Sequence, residues 1–265
     1  MIRYRYDGTY EGLLNMLEFA QKHPQKPTEI IRDLEDLGTL FDGFETVTIL
    51  SNEAVARGYS DELRRKLGDM AVNNLFFAHL AEGAGVPYLL YEYIAYGLQE
   101  AGRNLSCDLS HPLVHQVHKL RIQVLREKER LLGMVRFSLL SSGIYYSKVS
   151  PDHRMLGLLG RHFAERFQSE RWVIHDIRRG WALLGQSGKY QMIPLSKEDA
   201  PIEDDEFIQN LWRQYHGHVA ILERLNPKLQ KGYMPHRYWQ NLVEKPGEAM
   251  RVQEATYLKY GKHRK

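Results

Sequence analysis

WVIHDIRRGWALLGQSGKYQMIPL, residues 172–195, decides the fold class. Three runs of strand length, Trp172–Ile177, Gly180–Gly185 and Lys189–Leu195, are separated by Arg178-Arg179 and by Gln186-Ser187-Gly188. Short apolar and aromatic runs bounded by turn residues read as strands, and two strands this close in sequence pair antiparallel. The stretch therefore predicts a three-stranded meander. Just upstream, GMVRFSLL (residues 133–140) and GIYYSKV (residues 143–149) flank Ser141-Ser142-Gly143 as the strands of a hairpin would.

Outward from this sheet, the period changes. Ser150-Pro151 offers an N-cap hydroxyl followed by proline, which suits a helix start. Met155, Leu159, Phe163 and Phe167 recur every four residues as its buried stripe, with Arg154, Arg161 and Arg166 on other sides. From Ser51 to Arg130 the pattern is helical, with stripes such as Val55, Tyr59, Leu63, Leu67 and Leu113, Val117, Leu120, Val124. Four helices are expected there. Before them, Ile2–Tyr6 alternates apolar and basic residues as a strand. Asp7-Gly8-Thr9 is a turn, Tyr10–Gln21 a helix, and Thr28–Ile31 and Glu45–Leu50 further strands. At the other end, Phe207, Leu211, Tyr215, Val219 and Leu222 mark a helix that Asn226-Pro227 stops. Pro235 suits the first turn of another, carrying Arg237, Tyr238 and Trp239. The sum is an α+β fold with a mainly antiparallel sheet, a helical layer inserted after the N-terminal strand, and two C-terminal helices. A single domain is expected over residues 1–250, with its helical part near 51–131, its sheet near 132–195 and its last helices near 203–244. Residues 251–265 form a basic tail.

Composition bounds the function. Of 265 residues, 43% are hydrophobic and 26% charged, enough for a packed core. A net charge of +3 permits a polyanion partner without requiring one, so local clustering has to decide. One cysteine, Cys107, excludes an intrachain disulfide and an iron–sulfur cluster held by this chain alone. No apolar run reaches the roughly 20 residues of a membrane span, and the first residues lack the apolar core of a signal peptide. A cytoplasmic location is the expectation.

The strongest local cluster is cationic and aromatic. Between Gln209 and Leu242 stand Arg213, Arg224, Lys228, Lys231 and Arg237, opposed only by Glu223, with Tyr238 among them. Arginine forks and lysine point charges suit a phosphate backbone. Arg213, Lys228, Lys231, Arg237 and Tyr238 are therefore expected on one nucleic-acid-binding surface. The plain alternative pairs Arg224 and Arg237 with Glu223 and Glu244 between helices. Arg136, inside an apolar run, needs a partner or a polyanion. Asp176 stands beside Arg178 and Arg179: either the carboxylate holds an arginine in place, or an arginine such as Arg179 contacts phosphate. Asp176, His162 and His216 form a candidate polar site. His111, His115 and His118 share a helix face but lack a carboxylate or thiolate to complete a metal site, so no metal and no cofactor are expected. Trp212 and Trp239 read as packing residues. No GxSxG, P-loop, GxGxxG after a strand, HExxH or CxxC occurs.

Several blocks together resemble one bacterial family of unknown activity, linked to DNA metabolism and DNA repair. They are Tyr4-x-Tyr6-Asp7-Gly8-Thr9-x-x-Gly12-Leu13-Leu14; Arg126-Glu127 through Gly133-x-Val135-Arg136-Phe137; and Pro151-Asp152-His153. They continue with His162-Phe163-Ala164-x-Arg166-Phe167, Ile174-x-Asp176-x-x-Arg179-Gly180, Leu211-Trp212-x-x-Tyr215, Ile221-x-x-Arg224-x-Asn226-Pro227-Lys228-Leu229-Gln230 and Met234-Pro235-x-Arg237-Tyr238-Trp239. Members accompany a radical-SAM protein of DNA repair, and related domains are fused to uracil-DNA-glycosylase-like domains. The resemblance brings no catalytic residue with it. One departure is Glu129, where the family often has histidine.

Three functions follow as expectations. The first is a non-catalytic or weakly catalytic accessory of DNA repair that binds nucleic acid and docks a radical-SAM partner. The second is an enzyme acting on a nucleic-acid base or nucleotide through Asp176, Arg179 and nearby histidines. The third is an adaptor that binds protein only.

Overall fold

The structure, a computed structural model, describes residues 1–32, 43–99, 105–198, 229, 232–235, 238, 239 and 242. The chain divides into two compact units, Met1–Arg126 and Glu127–Lys265. Helices and strands occur in both, and the fold is α+β.

The first unit opens with strand β1 (Ile2–Tyr6), helix α1 (Tyr10–Lys22) and strands β2 (Glu29–Arg32) and β3 (Glu45–Ile49). β1 lies between β2 and β3 and pairs in parallel with both. Parallel neighbours need a crossover, and α1 supplies the one between β1 and β2. Tyr4 and Tyr6 point to the helix-covered side of β1, where both are fully buried. Arg32 is buried with them. It donates to the Tyr6 hydroxyl (3.2 Å) and to the carbonyls of His79 (2.8 Å) and Ala81 (3.2 Å). Those carbonyls end a helix, where no intrahelical donor reaches them. Helices α2 (Glu53–Leu67), α3 (Asp69–His79), α4 (Val86–Gln99) and α5 (Pro112–Met134) follow, at the four places their stripes indicate. The unit boundary falls inside α5.

The second unit holds β4 (Ser138–Leu139), β5 (Ile144–Val149), a 3-10 turn at Leu156–Leu159, α6 (Gly160–Arg166), β6 (Arg171–Asp176), β7 (Trp181–Gln186) and β8 (Lys189–Pro194). The sheet runs β4-β5-β6-β7-β8. β6, β7 and β8 form the expected antiparallel meander, and β4–β5 is an antiparallel hairpin. β5 and β6 are parallel, with α6 as their crossover. Antiparallel pairing thus dominates this sheet, while the first sheet is parallel throughout its described strands. Trp172 and Ile174 of β6 and Leu183 of β7 form the centre of the core, all fully buried. The β7–β8 turn is Ser187-Gly188, both in the left-handed region (φ 52° and 71°), as a two-residue hairpin demands.

Two local expectations fail. Residues 133–140 are not a strand, because α5 continues through Met134 and only Ser138–Leu139 pairs. Arg136 is therefore not a charge inside a strand. It is half-buried just past α5, where it donates to the carbonyls of Gly133 (2.8 Å) and Val135 (3.3 Å). A cation suits the unsatisfied carbonyls of a helix end. Nor does Ser150-Pro151 begin a helix, since helical geometry starts only at Leu156. Met155, Leu159 and Phe163 are nevertheless buried, as their spacing predicts. The expected helices near 203–244 and the tail at 251–265 lie outside the described residues, apart from short pieces around Met234 and Tyr238. No helix among the described residues is long and apolar enough to cross a membrane.

Candidate functional site

The site grows from the end of β6. Asp176 is 1% exposed. Its Oδ1 accepts from the backbone amides of Arg178 (3.0 Å) and Arg179 (3.3 Å), closing the β6–β7 turn. Its Oδ2 accepts from Nη1 of Arg179 (2.9 Å). The same guanidinium donates to the carbonyls of Pro151 (3.0 Å) and Asp152 (2.7 Å). A planar fork with several donors fits such a set of acceptors, where a lysine would not.

The Pro151–His153 loop is held from its other side by Glu127 of α5, itself 3% exposed. Glu127 accepts from the amides of Asp152 (2.7 Å) and His153 (3.0 Å), and from the hydroxyl of Tyr238. Two carbonyls of the loop thus bind one charged side chain and two of its amides bind another. A buried charge is tolerated when it is met this fully. These bonds also explain why no helix starts at Pro151. The carbonyls of Pro151 and Asp152, which would accept its first intrahelical amides, are drawn to Arg179 instead.

A third buried group adjoins. His175 faces the Tyr146 hydroxyl with Nδ1 (2.7 Å) and the Leu195 carbonyl with Nε2 (3.0 Å). A carbonyl only accepts, so Nε2 carries a proton. The imidazole so placed anchors the chain just beyond β8.

The two arginines of the turn have opposite fates. Arg179 is turned inward and engaged at three acceptors. Arg178 is exposed, and its backbone alone is tied to Asp176. Beside it, Trp181 at the start of β7 is 39% exposed. Lys197 is exposed just after β8, whose end is fixed to the turn by Leu195 N–H donating to the Gly180 carbonyl (2.9 Å). An outward arginine, an outward tryptophan and a lysine therefore share one end of the sheet.

The other expected residues scatter. His162 is exposed on α6, edge-on to Phe163, and makes no part of the Asp176 network. Tyr238 is 2% exposed with its hydroxyl on Glu127, so its ring is a packing element and not an offered surface. Trp239 donates to the Met234 carbonyl (2.8 Å), in keeping with a packing role. Arg213, His216, Lys228, Lys231 and Arg237 lie outside the described residues. His111 stacks on Tyr96, with ring centroids 3.9 Å apart.

A family described as a domain of unknown function, DUF4130, matches residues 85–244. The chain belongs to the DUF4130 family. No curated protein matches it, and no solved structure does. The DUF4130 match spans Glu127, the Pro151–His153 loop, Asp176 to Trp181 and Tyr238, so the whole network just described is DUF4130 sequence. β1, α1, β2, β3, α2 and α3 lie before it.

Glu127 and Trp181 carry no role in the sequence reading, and Arg178 is not separated there from Arg179. Glu127 had a signal: it occupies a position of the stripe Val117, Leu120, Val124, Leu131, where a carboxylate is out of place unless it is paired. Arg178 and Arg179 had none, because adjacent residues at a turn differ only in how the turn directs them.

Proposed function

We propose that the protein is an accessory of DNA repair or DNA metabolism that binds nucleic acid and works beside a radical-SAM partner in the cytoplasm. The observation that carries nucleic-acid binding is the division between Arg178 and Arg179. Arg179 is consumed by Asp176 and the Pro151–His153 loop. Arg178 is left outward next to exposed Trp181 and Lys197, a combination of cation and aromatic ring that suits phosphate and base together. The cations Arg213, Lys228, Lys231 and Arg237 add charge to the same half of the chain.

The partner follows from the block-wise resemblance and from cysteine chemistry. Radical-SAM reactions use an iron–sulfur cluster, whose thiolates one cysteine cannot supply. The enzymatic alternative has less support, because Asp176 and Arg179, on which it rests, are engaged in holding backbone.

The test is a titration of DNA at two salt concentrations with wild type, Arg178→Glu and the Lys228→Glu/Lys231→Glu double mutant. Each lost phosphate contact should weaken binding for all sequences and lower the salt slope by about one unit. Binding that ignores both salt and these substitutions would leave the protein-only adaptor in its place. Co-purification with the radical-SAM protein, with and without DNA, checks the partner.

A further inference from the structure

The register of the second sheet lines up three rows on one face: Trp172, Gly185 and Tyr190; Ile174, Leu183 and Met192; Asp176, Trp181 and Pro194. α6 and the turn before it cover the inner part of this face. Phe163 of α6 packs on Trp172 (centroids 6.1 Å apart), and the Tyr190 ring lies against Gly160, where a Cβ would collide with it. The cover stops at the margin. Tyr190 is 45% exposed, Met192 49% and Trp181 39%, with Pro194 exposed between. Four of these outward side chains thus form one apolar strip along β8, the edge strand of this sheet among the described residues, with an aromatic ring near each end.

Its surroundings are cationic at one end. Arg178 and Lys197 are exposed at the Trp181 end, while Lys189, next to Tyr190, belongs to the opposite face of β8. Of the carboxylates nearby, Asp176 is engaged by Arg179 (2.9 Å) and Glu165 by Arg161 (2.8 Å), while Glu198 is exposed beside Lys197. A protein strand adding to this edge would meet a residue without an N–H, since Pro194 closes β8. Duplex DNA would satisfy the cations and leave the rings idle, because its bases are already stacked on each other. A single strand offers both phosphates and base faces.

We infer that this strip is a stacking surface for single-stranded nucleic acid. Trp181 and Tyr190 take the faces of bases, while Arg178 and Lys197 take phosphates. Tyr190 and Pro194, the cross-strand partner of Trp181, are four residues apart, roughly 13 Å along the strand. The two rings therefore meet different bases of one extended strand. The inference rests on the nucleic-acid reading and deepens it, naming the form of nucleic acid and where it lies.

The experiment uses the full chain with labelled single-stranded and duplex oligonucleotides, read by anisotropy and by tryptophan fluorescence. Wild type should prefer the single strand. Trp181→Leu should weaken single-strand binding roughly ten- to a hundredfold, leave duplex binding nearly unchanged, and abolish part of the fluorescence quenching. Trp181→Tyr should restore most of the loss, which separates stacking from a folding defect. Single-strand binding that depends on salt but not on the residue at 181 would overturn the stacking surface and leave the nucleic-acid reading standing. Absence of any binding by wild type at low salt would overturn both. A strip whose substitution instead dissociates a dimer, with single-strand affinity unchanged, would be an interface between copies and would equally end the inference.

Discussion

The hydroxyl of Tyr238 donates to the carboxylate of Glu127, a residue 111 positions earlier in the chain. Both side chains are buried, and the same carboxylate receives the amides of Asp152 and His153. Three separate segments of the second unit therefore meet at one charge. Tyr238→Phe removes one donor and leaves Glu127 with two, so a loss of about 1.5–3 kcal/mol is expected. Glu127→Ala orphans two buried amides and a hydroxyl, and should cost at least about 3 kcal/mol. Urea unfolding measures both. Hydrogen exchange adds a local readout, since the Asp152 and His153 amides should lose protection in Glu127→Ala before the rest of the unit does. Equal protection in both proteins would show that the loop does not depend on Glu127.

Arg179 is the counterpart on the carbonyl side of the same loop. Arg179→Lys keeps the charge but not the fork, so it cannot serve Asp176, Pro151 and Asp152 at once. The expected loss is about 2–4 kcal/mol, close to that of Arg179→Ala. Arg178→Lys, one residue earlier, should leave stability within about 0.5 kcal/mol. The two variants side by side test the inward and outward assignment directly. Similar effects from both would contradict it.

Strand and helix positions were legible because period and punctuation carry them. The meander of β6, β7 and β8 follows from three short runs and two turn signals, and α2 to α5 from their stripes. Pairing direction was less visible. Nothing in Ile2–Tyr6 or Glu29–Arg32 states that they run parallel; that follows from the α1 crossover between them. The start of α6 misled because Ser150-Pro151 is a valid local signal, which contacts from a distant residue, Arg179 to the Pro151 and Asp152 carbonyls, override. Local sequence reports propensity, and a guanidinium from another element outweighs about one kcal/mol of capping preference. The site was half legible for the same reason. Asp176 with Arg179 is a short-range pair and could be named, whereas Trp181 and Tyr190 come together only through the register of β7 and β8.

Close packing at Gly185 offers a test of that register. A Cβ on Gly185 would run into the indole of Trp172, its cross-strand partner. Trp172 is fully buried and has no room to retreat. Gly185→Ala should destabilise by about 1–3 kcal/mol, although alanine ordinarily suits a strand no worse than glycine. Two residues on, Ser187 holds φ 52° without being glycine. Ser187→Asn should stabilise by roughly 0.5 kcal/mol, since asparagine tolerates the left-handed region that this hairpin turn requires. A stabilised Gly185→Ala protein would mean that β6 and β7 are not paired as described.

The last prediction concerns pH and the first unit. Asp7 follows β1 and sits at the start of α1, where it accepts from the Thr9 amide (3.0 Å), the Thr9 hydroxyl (2.7 Å) and the Ser51 hydroxyl (2.6 Å). Gly12 makes room for it: a Cβ there would strike the Asp7 carboxylate and lie 2.9 Å from Ser51 Oγ. Partial burial pushes the Asp7 carboxyl upward, but the hydrogen bonds from Ser51 and Thr9 and the charge of His79 outweigh it, and the net effect holds it below the usual range of an aspartate. A carboxyl lowered in the folded state contributes stability above its unfolded value, and loses it as pH falls through the folded one. Asp7→Asn should therefore unfold at lower urea than wild type at pH 7, with a constant deficit down to about pH 4. The deficit should shrink below that pH, as wild-type Asp7 takes up its own proton. Gly12→Ala should show the opposite of its helix propensity. Instead of gaining about 1 kcal/mol, it should lose stability, because its methyl displaces the carboxylate from Thr9 and Ser51. Its deficit should also fade at low pH, where the displaced carboxylate no longer carries a charge. A deficit in either variant that stays the same from pH 7 to pH 2 would remove Asp7 ionisation as its cause.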